Sequence, residues 1–409
     1  MNRSAKPSLL ALMFLISFAS AGALLYTPAI PAIAAHFGVT IGQSQNTVTY
    51  FLLGYAFGQL PYGPLLNTLG RKPTIYLGCG IAIVGSVICI LADVITLFWL
   101  LNLGRLIMGL GMAVGLVSTF TLIGDSLERK QAHRTTSYLS AAFPLMAGLA
   151  IVIGGFLTET VGWVYCFYFL IVYCVWIFFL ATRLPKTGPE PFTHSLHPVL
   201  VAKGYWKQLA TPSVLLGSLI LGANSGISYV FSTKAPFIGI ELIDLSADVY
   251  GLWRLVPSLG TVTGAILSAY LSARYAPRPL VWTGMIVVAL SVATTLTFFA
   301  FGIINVWTLF IPTTLGFPGL TITYAAISSS ITSEATDKSN ASAVMTFLNM
   351  IVSAISVLIV GVVATKSALF LPLMQFILVL LTFLSIGIYV IIHRRPLHGG
   401  GTMPDSSTQ

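Results

Sequence analysis

Between Ser8 and Ile392 the chain is a succession of apolar runs, separated by short polar breaks. Each run meets the roughly 20 residues that a helix needs to cross a bilayer. Six come first: Ser8–Ala34, Ser44–Leu66, Thr74–Ala92, Thr96–Gly124, Thr135–Thr158 and Trp163–Thr182. Six follow a polar stretch: Pro212–Ile240, Ala247–Ala273, Leu280–Phe301, Val306–Thr332, Asn340–Thr365 and Ala368–Ile392. Only 8% of the 409 residues are charged and 56% are hydrophobic, against about 25% charged in a soluble protein. The chain reads as an all-α membrane protein of twelve transmembrane helices. A signal peptide at the start is excluded, because the first apolar run continues to Tyr26 and many like it follow.

Basic residues give the run pattern a direction. With the N-terminus in the cytoplasm, sixteen Lys and Arg fall on the cytoplasmic side, among them Arg3, Arg71, Lys72, Arg183 and Arg274, and only Lys366 falls outside. Short cytoplasmic loops collect such residues, which accounts for the +9 net charge without nucleic acid. Residues 1–182 are expected to form an N-terminal six-helix bundle and 212–394 a C-terminal one. A cytoplasmic linker at 183–211 joins them, and 395–409 is a disordered tail. Pro279 set on Pro73 gives an offset of 206, close to half the chain, and places Ala269 on Gly63 and Arg278 on Lys72. Two parallel halves with a site between them near the midplane are a transporter architecture.

The stretch Gly63-Pro64-Leu65-Leu66-Asn67-Thr68-Leu69-Gly70-Arg71-Lys72-Pro73 lies between the second and third runs. This glycine-framed turn with a basic pair resembles the signature loop of the major facilitator superfamily. Tyr26-Thr27-Pro28-Ala29-Ile30-Pro31 and the run Tyr55-Ala56-Phe57-Gly58-Gln59-Leu60-Pro61 are similar to spans one and two of its Bcr/CflA drug-resistance branch. Arg105-Leu106-Ile107-Met108-Gly109 resembles the fourth-span motif. The resemblance implies two pseudo-symmetric six-helix bundles, drug:proton antiport, and an inner gate pairing Arg71 with Asp125. Gating residues are then Gly63, Asn67, Gly70, Arg71, Lys72 and Asp125. Three positions depart from the pattern: Leu24 and Asn67 stand where the branch has Asp, and the fifth-span antiporter motif ends Ala150-Ile151-Val152-Ile153-Gly154-Gly155, without its Gly-Pro.

Ionisable residues within spans are costly, about 2.5–3.5 kcal/mol each at the bilayer centre. Here they are all basic: Arg105, Lys234 and Arg254, with Arg105 roughly 13 Å deep at 1.5 Å per residue. Three cations around one cavity would attract a carboxylate or phosphate. Against this stand a structural arginine at 105, a snorkelling Lys234, and an Arg254 paired with Glu241, Asp244 or Asp248. Polar and aromatic candidates for the cavity are Tyr26, Tyr50, Asn224, Tyr229, Tyr324 and Asn349, with Asn46, Gln59 and Gln375. Substrate binding is assigned to the three cations with the first six of these.

Nothing points to an enzyme, a metal or a cofactor. Cys79, Cys89, Cys166 and Cys174 sit in apolar runs, His194-x-x-His197 lacks an acid cluster, and there is no Walker loop for ATP. The expectation is a monomeric secondary transporter of the bacterial inner membrane, both termini cytoplasmic, working by alternating access. Its expected partners are the lipid bilayer, protons as coupling ion, and a small organic solute, with an anionic carboxylate or chelator favoured. The alternatives are proton-coupled efflux of neutral or cationic drugs, and a non-transporting receptor or assembly factor on a transporter scaffold.

Overall fold

The computed structural model describes residues 7–184, 198–334, 338–363 and 367–393. The His194–His197 pair, Lys366 and the tail from 395 lie outside them. The described residues form thirteen helical elements: α1 Leu9–Phe37, α2 Ile41–Thr68, α3 Arg71–Val94, α4 Phe98–Ser126, α5 Arg129–Thr160, α6 Tyr165–Thr182, α7 Pro198–Leu209, α8 Pro212–Leu242, α9 Ala247–Ser272, α10 Pro277–Ala300, α11 Val306–Glu334, α12 Lys338–Val363 and α13 Phe370–His393. All but α7 correspond to the twelve apolar runs. Eleven are long and apolar enough to cross a bilayer on composition alone. The twelfth, α2, is 28 residues long but carries Gln43, Gln45, Asn46, Gln59 and Asn67. It can lie in a membrane because Gln45 and Gln59 are buried against protein and not exposed to lipid, with Gln45 Nε2 bonded to a backbone carbonyl.

Several spans are interrupted where their sequence removes helix hydrogen bonds. In α1, Pro28 and Pro31 lack N–H donors, and a 3-10 turn at Thr27–Ala29 takes their place. The Thr27 hydroxyl donates to the Leu24 carbonyl in that turn, 2.7 Å away. The break pushes the Leu25 backbone onto α5, where only a residue without a Cβ fits, and Gly154 occupies that position.

Two cores form. One gathers mainly buried residues of α1 to α6, joined by Phe237, Ala354 and Val357; the other gathers mainly those of α8 to α13, joined by Ile151. The halves meet along α2 against α12 and α5 against α9. Gly361 of α12 presses on the Gly42 carbonyl and Asn46, and Gly155 of α5 presses on the Ala247 carbonyl of α9. Hydrogen bonds joining spans of the two halves among the described residues include Gln45 Nε2 to the Thr233 carbonyl at 3.3 Å, and the Ala247 N–H to Glu159 Oε2 at 3.0 Å. Both lie at the end away from Arg71, so the halves are sealed there.

Within the 183–211 linker, whose secondary structure the sequence leaves open, α7 docks at the basic end with the Tyr205 hydroxyl donating to the Leu60 carbonyl of α2 at 3.2 Å. One local expectation changes: the signature stretch is framed as a turn by Gly70 alone, at φ +89°. Gly63 lies inside α2 with open space where a Cβ would stand. Pro61 and Pro64 are carried within that helix, because neighbouring helices and Ser/Thr hydroxyls re-satisfy freed carbonyls. Pro64 frees the Leu60 carbonyl, four residues back, and the Tyr205 hydroxyl donates to it.

Candidate functional site

Between the two halves, Tyr55 of α2, Tyr229 of α8 and Tyr324 of α11 lie in one electrostatic neighbourhood. Asn349 of α12 donates from Nδ2 to the Tyr324 hydroxyl at 3.5 Å. Gln59, one turn beyond Tyr55, adjoins the same phenol, yet neither of its amide atoms has a hydrogen-bond partner. Asn349 Oδ1 and Asn224 Oδ1 are also buried without one, while Asn224 Nδ2 donates to the Leu320 carbonyl at 3.0 Å. A buried polar atom without a partner costs about 1–3 kcal/mol. Several around one set of phenols make a place where a polar solute gains hydrogen bonds on entering. Tyr55, Gln59 and Asn349 are buried, whereas Tyr229 and Tyr324 remain partly open. The cluster is aromatic, uncharged and built by both halves.

Of the expected lining residues, Tyr229, Tyr324 and Asn349 are brought together and Asn224 lies alongside on α8. Tyr26 is wholly buried in the N-terminal half, its hydroxyl 2.8 Å from Thr47 Oγ1. Tyr50 is 40% exposed and on the side of α2 that carries Phe57, seven residues on, which meets Phe347 of α12 at the outer surface. Five residues separate Tyr50 from Tyr55, about 140° around a helix, so Tyr55 points into the buried cluster while Tyr50 lies toward the exposed edge of the α2–α12 contact. Gln375 serves packing, with Nε2 donating to the Ile227 carbonyl.

The three cations do not converge as expected. Arg105 is fully buried in the N-terminal half. Its Nη1 donates to the Gly22 carbonyl at 2.8 Å, and its guanidinium lies 3.8 Å from the Tyr26 ring centroid and 4.5 Å from that of Phe51. Carbonyls and ring faces supply the negative potential that a carboxylate otherwise would. Arg254 is held in the C-terminal half, where Nη2 donates to Ser232 Oγ at 2.6 Å over the Phe231 ring. Tyr250 adjoins the same group. Neither Asp244 nor Asp248 forms an ion pair with it among the described residues, so the loop-acid pairing is replaced by a hydroxyl and rings. Lys234 is buried with Glu241 as its acidic neighbour. Each arginine is thus engaged by its own bundle.

At the basic end, Arg71 Nε donates to Asp125 Oδ2 at 2.8 Å, and Nη1 to the Leu66 carbonyl and Asn67 Oδ1. Lys72 Nζ donates to the Thr182 carbonyl. All these groups belong to the N-terminal half. The cluster braces the α2–α3 turn against α4 and α6, and the ion pair is present with the opposite end sealed.

Comparisons with known proteins agree with this architecture. The model of the Major Facilitator Superfamily matches residues 10–361. Multidrug resistance protein D of Escherichia coli is 29% identical over 325 residues, covering 76% of this chain and 77% of that one. A bicyclomycin resistance protein homolog of Haemophilus influenzae is 26% identical, covering 63% of each chain. The match to an uncharacterized transporter of Rickettsia felis, at 29% identity, spans 60% of each. In structure, a D-xylose-proton symporter superposes with a TM-score of 0.74 at 11% identity, over 92% of this chain and 96% of that one.

Proposed function

The chain belongs to the major facilitator superfamily, and from that membership we propose that it exports small, uncharged or cationic aromatic compounds across the bacterial inner membrane by alternating access. It is a transporter of the membrane and not an enzyme. The observation that carries the substrate class is the meeting of Tyr55, Tyr229 and Tyr324 from both halves, with Gln59 and Asn349 beside them. Ring faces and neutral hydrogen-bonding groups suit aromatic amphiphiles, and ring faces also attract cations. The anionic reading asks for guanidinium groups facing the solute, whereas Arg105 and Arg254 are occupied by carbonyl, hydroxyl and ring contacts. Drug-resistance proteins among the relatives support the same direction.

The remaining parts of the proposal follow from topology. The Arg71 end faces the cytoplasm with both termini there, 1–182 and 212–394 are the moving bundles, 183–211 is the cytoplasmic linker, and the unit is a monomer. Protons are the coupling ion, without a span-one carboxylate because Leu24 holds that place. Gly63, Asn67, Gly70, Arg71, Lys72 and Asp125 form the inner gate region.

Efflux is tested in an Escherichia coli strain lacking its major pumps, with ethidium, chloramphenicol and a dicarboxylate as probes. Expression is expected to lower ethidium or chloramphenicol accumulation, and Tyr55→Phe with Asn349→Ala to abolish the effect at unchanged membrane abundance. Export of the dicarboxylate alone, lost in Arg254→Gln, would return the anionic reading. Absence of any flux with a co-purifying partner protein would favour a receptor.

A further inference from the structure

The linker helix α7, Pro198–Leu209, has two dissimilar faces. Tyr205 and Gln208 turn inward, Tyr205 bonding to the Leu60 carbonyl of α2, Gln208 buried, and Gly204 set tightly against Asn340 of α12. Lys203, Trp206 and Lys207 turn outward at the i, i+3, i+4 spacing that shares one face. Trp206 is 73% exposed and both lysines are exposed. The helix carries no acidic residue, and it ends three residues before α8 enters the bilayer at Pro212.

We propose that this face is a binding surface for anionic phospholipid headgroups, with Trp206 seated at the interface and Lys203 and Lys207 on the lipid phosphates. An indole left in water at this level is out of place, because Trp concentrates at the membrane–water boundary where its ring is half apolar and its N–H is wetted. Lysine stems can lie along acyl chains while the ammonium stays among phosphates. Charge selects the lipid, since each basic residue near an anionic leaflet adds attraction and two together favour it roughly 30-fold over a zwitterionic one. The inward face gives the site a consequence. α7 touches α2 of one half and α12 of the other, so a lipid that holds α7 in the headgroup plane holds the linker between the two halves.

The test compares the intact chain with Lys203→Gln/Lys207→Gln in nanodiscs of phosphatidylcholine with or without phosphatidylglycerol. Native mass spectrometry is expected to show the intact chain retaining phosphatidylglycerol in preference, and the double variant losing most of that preference. Equal thermal midpoints in pure phosphatidylcholine check that the variant is folded. A second measurement isolates the indole. Phosphatidylglycerol brominated near the headgroup is expected to quench the fluorescence that separates the intact chain from Trp206→Phe. Unchanged lipid preference in the double variant, or a Trp206 signal that brominated lipid does not quench, overturns the proposal. The latter is the result expected if a protein partner or bulk water covers this face.

Discussion

Gly155 offers the sharpest test of how the two halves close. It sits on α5 where that helix crosses the start of α9. A Cβ built there would overlap the Ala247 carbonyl oxygen and stand 3.2 Å from the carbonyl carbon. Restoring ordinary contact requires the helices to part by about 1 Å at this point. Extra methylenes in a packed contact cost about 1–3 kcal/mol. The cost falls on the sealed state alone, because the contact is absent once this end opens. A differential of that size shifts a two-state equilibrium by roughly 5- to 150-fold. Gly155→Ala is therefore expected to move the protein toward the state open at the Glu159 end. Gly63→Ala, which adds its methyl to open space, is the control and leaves the equilibrium in place. Spin labels at Thr160→Cys and Leu242→Cys report the distance across the seal, and the four native cysteines are buried. A longer-distance population should appear in Gly155→Ala and not in Gly63→Ala. Identical distance distributions in both folded variants would refute the argument that this glycine permits closure.

Glu159→Gln should shift the same distance distribution in the same direction but less, since the amide still accepts from the Ala247 N–H without the charge. Asp125→Asn removes a charge-assisted bond to the nearly buried Arg71 and should lower thermal stability by about 1.5–3 kcal/mol, read as a reduced melting midpoint in detergent. Arg105→Ala empties a fully buried site between α1, α2 and α4 and should cost about 2–5 kcal/mol. It should lower the amount of folded protein, whereas an Arg105 used only for substrate would leave abundance unchanged and abolish flux. Tyr324→Phe, which removes the hydroxyl that Asn349 reaches, should weaken ethidium export several-fold with abundance retained, as measured by the initial efflux rate.

The order and extent of the long helices were legible from the sequence, while rotation about each helix axis was not. Apolar runs located the twelve long helices, because a bilayer asks for a minimum length of each; α2 shows that hydropathy can fall where neighbouring helices shield polar groups. Tyr50 and Tyr55 look alike in such a run, yet five residues of rotation place one at the outer surface and the other between the halves. In a soluble helix the polar face would have marked the difference. In α2 both faces are apolar or buried, and no such contrast exists. The family run containing Tyr55 and Gln59 was a signal that could have singled out Tyr55. The cations show the same limit. Charge and position placed Arg105 inside, but its partners are the Gly22 carbonyl and the rings of Tyr26 and Phe51, groups that any span could supply. The helix in the linker was hidden for a different reason. Prolines at 185, 189, 191 and 198 mask a twelve-residue segment whose docking face depends on contacts with α2 and α12.

The polarity of α2 has a consequence during synthesis. A segment with Gln43, Gln45, Asn46, Gln59 and Asn67 is a poor candidate for entering lipid by itself. In the finished protein Gln45 and Gln59 are shielded by neighbouring helices, but α8, which accepts the Gln45 amide, emerges from the ribosome only after some 140 further residues. Until then α2 must be sheltered by α1, by α3 and α4 as they appear, or by the insertion machinery. Insertion of the helix that contributes Tyr55 and Gln59 to the cluster between the halves is on this account the step at which integration of the nascent chain depends most on its neighbours.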